Sequence, residues 1–407
     1  MSGWMDISNN PRQAMKAALS AFLGATALCI LGPASACAEE ISVPGTTVKY
    51  NTYIEGEGGY DSNPDSLFNQ AGSPFERVEG SFKVTSTTAA ETYDFTLKGR
   101  DIQFNDLDDS NRWDAKAAIN GSLVVGAGQK LSLGTYYLRD FFALDKLEVV
   151  HSYGEYAVTG DDYRVRLETR SHIEHNLGDD ILGARQPQDD FDVSKGASFD
   201  YSRTDGRISA IAMTKAMLQP FMIYNFGGLD YFNQVSGASI DRSARDQFAI
   251  AGLRFEFDKT LRVDVGGRFN HRDFDDRTIS TFSRGFIDIN AHWQPTQAFK
   301  ASLVVERFLR EPTTSFGLAD DVRSVALTAE YQIDPLWRMS AAGYYDRVDA
   351  IGDDLRYNKY STTMSLTYEP NKSYEIFVSG LAKWVTEEFS GESYTRFKIG
   401  SGIRFKF

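Results

Sequence analysis

Cysteine is nearly absent: the 407 residues contain two, Cys29 and Cys37, both within the first 38 positions. A chain that loses that segment keeps no thiol, which excludes disulfide staples, thiolate metal sites and thiol redox chemistry. Long apolar runs are missing too. Beyond residues 17–31 no stretch is apolar enough to cross a bilayer as a helix, and the mean hydropathy of −0.35 is too polar for a helical membrane protein. There is no basic excess. The net charge is −13, and setting aside the first 38 residues, with Asp6, Arg12 and Lys16, makes the remainder one unit more negative. Phosphate backbones would be repelled, so no nucleic-acid partner is expected. Prolines number only 11 and do not cluster, so no linker or domain boundary is visible. Catalytic signatures are missing as well: no H-E-x-x-H, no G-x-S-x-G and no phosphate-binding glycine loop occurs. The expectation is a non-enzyme with no catalytic residue, no cofactor and no dedicated metal.

What the chain has instead is Phe (28), Tyr (20) and Gly (34). Many aromatics at low mean hydropathy fit strands in which every second residue is polar. At the N-terminus, Arg12 and Lys16 precede an apolar run from Ala17 to Leu31, followed by Ala34, Ser35, Ala36, Cys37, Ala38 and Glu39. A positive segment, an apolar run of about 15 residues (short for a span) and an A-x-A-like site make a signal peptide. Residues 1–38 are expected to be cleaved, after Ala38 or Ala36, leaving 39–407 as one domain. Ala34, where a lipobox usually carries Leu, argues against lipid attachment at Cys37.

Alternation recurs from about Val48 to the end. Trp337, Met339, Ala341, Gly343 and Tyr345 share one face, with Arg338, Ser340, Ala342, Tyr344 and Asp346 on the other. In the last segment Phe397, Ile399, Ile403, Phe405 and Phe407 alternate with Lys398, Gly400, Gly402, Arg404 and Lys406. A strand with one face in lipid and one in water reads this way.

Connections alternate in length. Short turn signals fall at 89–91, 126–129, 159–162, 204–207, 258–260, 294–297, 334–335 and 369–372. Longer polar segments lie near 61–76, 105–112, 140–146, 173–190, 227–245, 273–284, 310–321, 349–358 and 387–393. Eight short and nine long connections imply an all-β, antiparallel up-and-down transmembrane barrel of about 18 strands, each roughly 10 residues long. The even count puts both termini on the short-turn side, the periplasm. Residues 207–226, with Pro220 inside, are read as one long strand, and no segment is left over for a plug domain.

Taking the more apolar face of each strand as outward places Lys98, Arg100, Arg164, Arg166, Glu168, Arg170, Arg262, Asp264, Arg268, Lys300, Glu306 and Arg404 in the lumen, with Lys398 and Lys406. Charged walls hold water and bias which solutes pass. The Arg164, Arg166 and Arg170 ladder suits carboxylate or sulfate groups, while salt bridging along the wall to Glu168, Asp264 and Glu306 is the plainer expectation. Trp113, Trp293, Trp337 and Trp384 sit where interfacial girdles belong. His172 and His175, with Glu174, Asp179 and Asp180, read as a solvated strand end more readily than as a metal site. The acidic loops around Asp106, Asp108 and Asp109, Asp189 and Asp190, Asp273, Asp275 and Asp276, and Asp353 and Asp354 read first as hydrated; divalent ions shared with lipopolysaccharide are the alternative.

Two stretches resemble the putative β-barrel porin 2 family. One is Gly58-Gly59-Tyr60-Asp61-Ser62-Asn63-Pro64, similar to the signature that ends the family's first strand. The other runs from Tyr344 to Phe407, with Arg347-Val348-Asp349, Leu355-Arg356-Tyr357-Asn358 and the closing Gly402-Ile403-Arg404-Phe405-Lys406-Phe407. The resemblance implies a bacterial outer-membrane barrel linked to cell-surface polysaccharide, the exit channel for a secreted exopolysaccharide, with the polymer and periplasmic export components as partners. Outer-membrane lipid and lipopolysaccharide would surround it. Phe397, Ile399, Ile403, Phe405 and Phe407 resemble the signal read by the barrel assembly machinery. The residues themselves leave two alternatives open: a general or anion-preferring diffusion porin, and a structural barrel whose acidic loops meet a surface partner.

Overall fold

Alternation of apolar and polar residues builds a closed wall of strands. The computed structural model describes residues 41–43, 46–63, 72–107, 111–142, 145–176, 201–213, 217–232, 241–311, 317–352, 354–388 and 393–407. The signal-peptide expectation for residues 1–38 lies outside them. The strands are β1 (Ile41–Val43), β2 (Thr46–Asp61), β3 (Ser73–Thr87), β4 (Glu91–Phe104), β5 (Arg112–Gly126), β6 (Gln129–Phe142), β7 (Asp145–Thr159), β8 (Tyr163–Asn176), β9 (Tyr201–Ala212) and β10 (Leu218–Tyr231). They continue with β11 (Ala244–Phe257), β12 (Leu261–Phe274), β13 (Phe282–Trp293), β14 (Phe299–Arg310), β15 (Ala319–Gln332), β16 (Trp337–Ile351), β17 (Arg356–Asn371), β18 (Tyr374–Glu387) and β19 (Ser393–Lys406).

From β2 onward each strand pairs antiparallel with the next, and β19 returns to β2, which closes an 18-stranded barrel. The closing ladder runs from Lys398↔Asp61 to Lys406↔Tyr53. Phe407 extends it by exchanging both backbone hydrogen bonds with Thr52, at 2.7 and 3.2 Å. Below that point β1 takes over the free edge of β2, pairing Ile41↔Val48 through Val43↔Thr46, so the edge is not left as a template for another chain.

The strands of the barrel are 12–16 residues long, longer than the 10 expected. At about 3.4 Å per residue and a tilt near 40°, a 14-residue strand rises about 36 Å, beyond an apolar band of about 25 Å. The surplus comes out of the loops: the polar segment expected at 140–146 shrinks to the two residues between Phe142 and Asp145. Aromatic rings mark both margins of the outer face. Trp293 and Trp337 stand exposed at the short-turn end, against Phe299 and Tyr368 at centroid distances of 5.3 and 4.7 Å. Toward the other end exposed Trp384 meets Phe397 edge-on at 5.8 Å. No helix among the described residues is long and apolar enough to cross a membrane, which says nothing of strands.

The short turns follow from local chemistry. Asp334 accepts the N–H groups of Leu336 and Trp337 at 2.7 and 2.9 Å, and Asn371 accepts those of Ser373 and Tyr374 at 2.8 and 3.2 Å. Gly128 turns the β5–β6 hairpin with φ of 69°, and a Cβ there would lie 2.0 Å from the Thr159 carbonyl oxygen. Gly128→Ala is expected to cost about 1–2 kcal/mol for the left-handed backbone alone. Gly126→Ala, whose Cβ would meet only the Gln129 side chain at 3.6 Å, should be close to neutral. Urea midpoints of the two refolded variants check the difference; equal midpoints would remove the argument.

One expected turn is wrong. Thr204-Asp205-Gly206-Arg207 lies inside β9, and the hairpin falls instead between Ala212 and Leu218. The turn-like Asp-Gly pair has strand work to do. Asp205 faces inward, accepting from Arg203 Nε at 2.8 Å, and Gly206 lies under the Phe226 ring, where a Cβ would meet it at 2.5 Å. Residues 207–226 are thus parts of two strands, and residues 191–200, which the shifted reading needs as strand, lie outside the described residues. The two displacements offset each other and leave the count at 18. Pro220 is tolerated because the β9 ladder has already ended at Phe221↔Ile211.

The ladder between β13 and β14 is short. It holds five pairs, Ile289↔Val305 to Trp293↔Ala301, whereas β14 pairs with β15 along its whole length, to Arg310↔Asp320. Residues 282–288 and 306–310 leave one another toward the long-loop end.

Candidate functional site: the barrel interior

Side-chain direction alternates, so the inner face is identified by its buried members. Arg272 and Asp61 are both 0% exposed, while Phe269 and Leu167 on the opposite face are 53% and 48% exposed. By this parity and the ladder registers, the structure places all twelve lumen candidates on the inner face.

Eight of the twelve are tied into the wall. Lys98 meets Glu79 at 3.0 Å and Arg100 donates to Asp114 at 2.6 Å. Glu168 accepts from Arg170 at 3.0 Å, and Asp264 accepts two bonds from Arg254 at 2.7 and 2.9 Å. Arg268 joins Asp288 at 2.6 Å and Glu306 at 3.5 Å, and Arg404 joins Glu55 at 2.7 Å and Glu375 at 2.6 Å. Because most of these links bind a strand to its neighbour, they brace the wall and mute its charge.

The other four stand apart. Arg164, Arg166, Arg262 and Lys300 have no carboxylate within 4.0 Å among the described residues, and all four lie near the short-turn end. Arg262 and Lys300, with His292, Glu256 and Glu330, line a cavity of about 560 Å³ at that mouth. The ladder of three arginines is thus divided: Arg170 is neutralised by Glu168, whereas Arg164 and Arg166 keep their charge for the lumen.

At the long-loop end the interior is packed. Leu138 and Val149, and separately Phe75, Ile102 and Phe104, form small buried clusters. Asp61 of the Gly58–Pro64 stretch accepts from Arg396 Nε at 2.9 Å and from the Asn63 N–H at 3.1 Å, fastening the first barrel strand to the last. A run of rings crosses five strands: Tyr136, His151, His172, Tyr201 and Tyr231, with successive centroids 5.1 to 5.9 Å apart. His172 shares Glu174 with Tyr201, at 3.3 and 3.1 Å, so it is held within this run. Among the described residues no three His, Cys, Asp or Glu side chains form a metal-ligand set. His175, Asp179 and Asp180 fall outside the described side chains. In the loop after β12, the Thr278 hydroxyl and N–H both donate to Asp276, which lowers that carboxyl from its usual range.

Beyond the ring run lies a cluster that alternation alone does not single out. Glu311, just past β14, accepts from Arg203 at 3.0 Å and from the Tyr231 hydroxyl at 2.9 Å, with Arg272 at 3.5 Å. Arg272 is held by Asp246 through two bonds of 2.6 and 2.7 Å. Arg310, one residue earlier, donates to the Tyr357 hydroxyl of β17 at 3.0 Å. Two consecutive residues therefore reach β9 on one side of the barrel and β17 on the other. Parity would have included Arg272 and Arg203. Glu311 carries no such signal, since it follows the strand in a polar segment.

The sequence model of one family, described as "Putative beta-barrel porin 2", matches residues 50–407. No curated protein matches the chain. Among solved structures, similar ones include the siderophore receptor PirA from Pseudomonas aeruginosa, at 8% identity and TM-score 0.47, covering 88% of this chain and 80% of that one. The FrpB iron transporter from Neisseria meningitidis (F5-1 variant) is 11% identical with TM-score 0.48, covering 88% and 82%. The ferric enterobactin receptor PfeA mutant (R480A_Q482A) from Pseudomonas aeruginosa is 9% identical with TM-score 0.46, covering 88% and 80%.

Proposed function

The chain belongs to the putative β-barrel porin 2 family, an outer-membrane β-barrel of the bacterial envelope, and from that premise we propose that it is the channel through which a secreted exopolysaccharide leaves the cell. The observation that carries the reading is the lumen wall. It is lined by hydrogen-bonding acids and bases already paired with one another, such as Arg268 with Asp288 and Arg404 with Glu55, and by the ring run from Tyr136 to Tyr231. A polyhydroxylated chain finds donors and acceptors everywhere on such a wall and apolar ring faces against its C–H groups, with no single tight site to arrest it. The polymer and periplasmic export components are the partners, the short-turn end faces the periplasm, and lipopolysaccharide surrounds the long loops. The protein acts as a conduit and catalyses no reaction. Deleting the gene should abolish polymer in the culture medium while leaving small-solute uptake unchanged; a deletion strain that secretes the normal amount sinks the proposal.

A second reading is favoured by one observation, the uncompensated charge of Arg164 and Arg166. It makes the barrel an anion-preferring diffusion porin for small solutes, and reconstituted protein would then conduct steadily without any polymer present.

A further inference from the structure

We propose that the upper half of β14 is a gate: it lies across the lumen in this structure, latched by Glu311, and opens by swinging back to the wall and pairing with β13. Three independent observations place it off the wall. The β13–β14 ladder stops at Ile289↔Val305 although both strands continue, β13 back to Phe282 and β14 on to Arg310. The backbone beyond that point is bonded to an inward-facing side chain: Asn270 of β12 donates to the Arg307 carbonyl at 3.2 Å. The Arg307 guanidinium lies 4.1 Å from the ring centroid of Phe286, a residue on the inner face of β13.

The reach of Glu311 leads to the same conclusion. Its partners Arg203 and Tyr231 are on β9 and β10. From β14 to β9 is five strand spacings, about 24 Å along the wall, more than a glutamate and an arginine span together. Contact requires the end of β14 to project inward, and Arg310 bonded to Tyr357 on β17 anchors the same end on the other side.

Each position satisfies polar groups that the other leaves unpaired, which is what makes the element a switch. With β14 inward, Glu311 is paired and the edge of β13 is unpaired over residues 282–288. With β14 on the wall, that edge gains its ladder, continuing the register to 287↔307 and 285↔309. Arg203 keeps Asp205 at 2.8 Å and Asp246 at 3.3 Å, and Arg272 keeps Asp246 at 2.6 Å. Glu311 moves into water at the mouth, so no buried charge is stranded.

The gate presupposes the channel only where conductance is read; the strand movement can be read alone. Residues 39–407 contain no cysteine, so introduced pairs have no competitors within the barrel. Gly285→Cys with Leu309→Cys should cross-link weakly in the purified barrel in liposomes, and about tenfold more when Glu311→Gln removes the latch charge. Conductance should rise with it. Asn270→Cys with Arg307→Cys, once oxidised, should hold conductance low until a reductant restores it. Tyr231→Phe, which removes the hydroxyl bonded to Glu311 and no charge, should act like Glu311→Gln in smaller measure and serves if the latter fails to assemble. Absence of the 285–309 cross-link in every background, or full conductance from the oxidised 270–307 pair, would overturn the gate. A barrel that never conducts, yet cross-links 285–309 in response to Glu311→Gln, would overturn the channel and leave the movement standing.

Discussion

Asp61→Ala is expected to cost the barrel about 3–5 kcal/mol of unfolding free energy, the penalty for removing one partner of a buried ion pair. Asp61 is 0% exposed, and its carboxylate takes two bonds from Arg396 Nε, at 2.9 and 3.1 Å, besides the Asn63 N–H. Without it a guanidinium that is only 3% exposed loses the Asp61 carboxylate, with Lys383 as a cationic neighbour. The pair stands at the upper end of the β19–β2 ladder, so the penalty falls where the barrel closes. Asp61→Ala with Arg396→Leu removes both charges and should recover a large part of the loss. Urea titration in detergent micelles, followed by the mobility difference between folded and heated protein on gels, measures both. A single variant within about 1 kcal/mol of the parent would show that the pair does not hold the seam.

On the second reading proposed above, exchanging Arg164 and Arg166 together for Glu is expected to turn the channel from anion to cation preference. The two guanidiniums stand near the short-turn mouth with no carboxylate within 4.0 Å, so their charge is felt by a passing ion, and the double exchange changes the mouth by four units. The reversal potential across a salt gradient should change sign at about 0.1 M salt, where the screening length is about 10 Å, and the effect should fade near 1 M, where it is about 3 Å. Arg170→Glu alone should do far less, because Arg170 already shares Glu168 at 3.0 Å. If selectivity is indifferent to all three arginines, the ion path lies elsewhere in the lumen.

Most of the architecture is legible in the residues, and the failures have identifiable causes. The hairpins at Asp334 and Asn371 are visible because a side-chain acceptor writes the turn into the sequence. The hairpin between Ala212 and Leu218 is invisible because Met213 to Met217 contain no Gly, Pro, Asn or Asp. Gly206 misleads for the converse reason: glycine serves a turn by its backbone and a strand by the room it leaves, here for Phe226, and the letter does not say which. The inner faces follow from alternation, but which charges are spent on neighbours depends on register. Arg164 and Arg170 look equivalent until Glu168 is seen to lie beside one and not the other. The inward course of β14 is not legible at all. Residues 299–306 alternate like any wall strand, and it is the short β13–β14 ladder and Glu311 meeting Arg203, 108 residues away, that reveal it.

The seam where Phe407 meets Thr52 fixes how the barrel comes into being. Every other ladder joins strands adjacent in the chain, so the sheet can grow hairpin by hairpin from local contacts. The last joint brings together segments about 350 residues apart, at a loop-closure entropy of about 5 kcal/mol, and until it forms the sheet has two open edges. An unclosed sheet of eighteen local ladders would be sticky at both margins, and its non-local joint would come last. A helper that grips the final strand by Phe405 and Phe407 would guard one margin and deliver it to the other, converting a rare encounter into a handover.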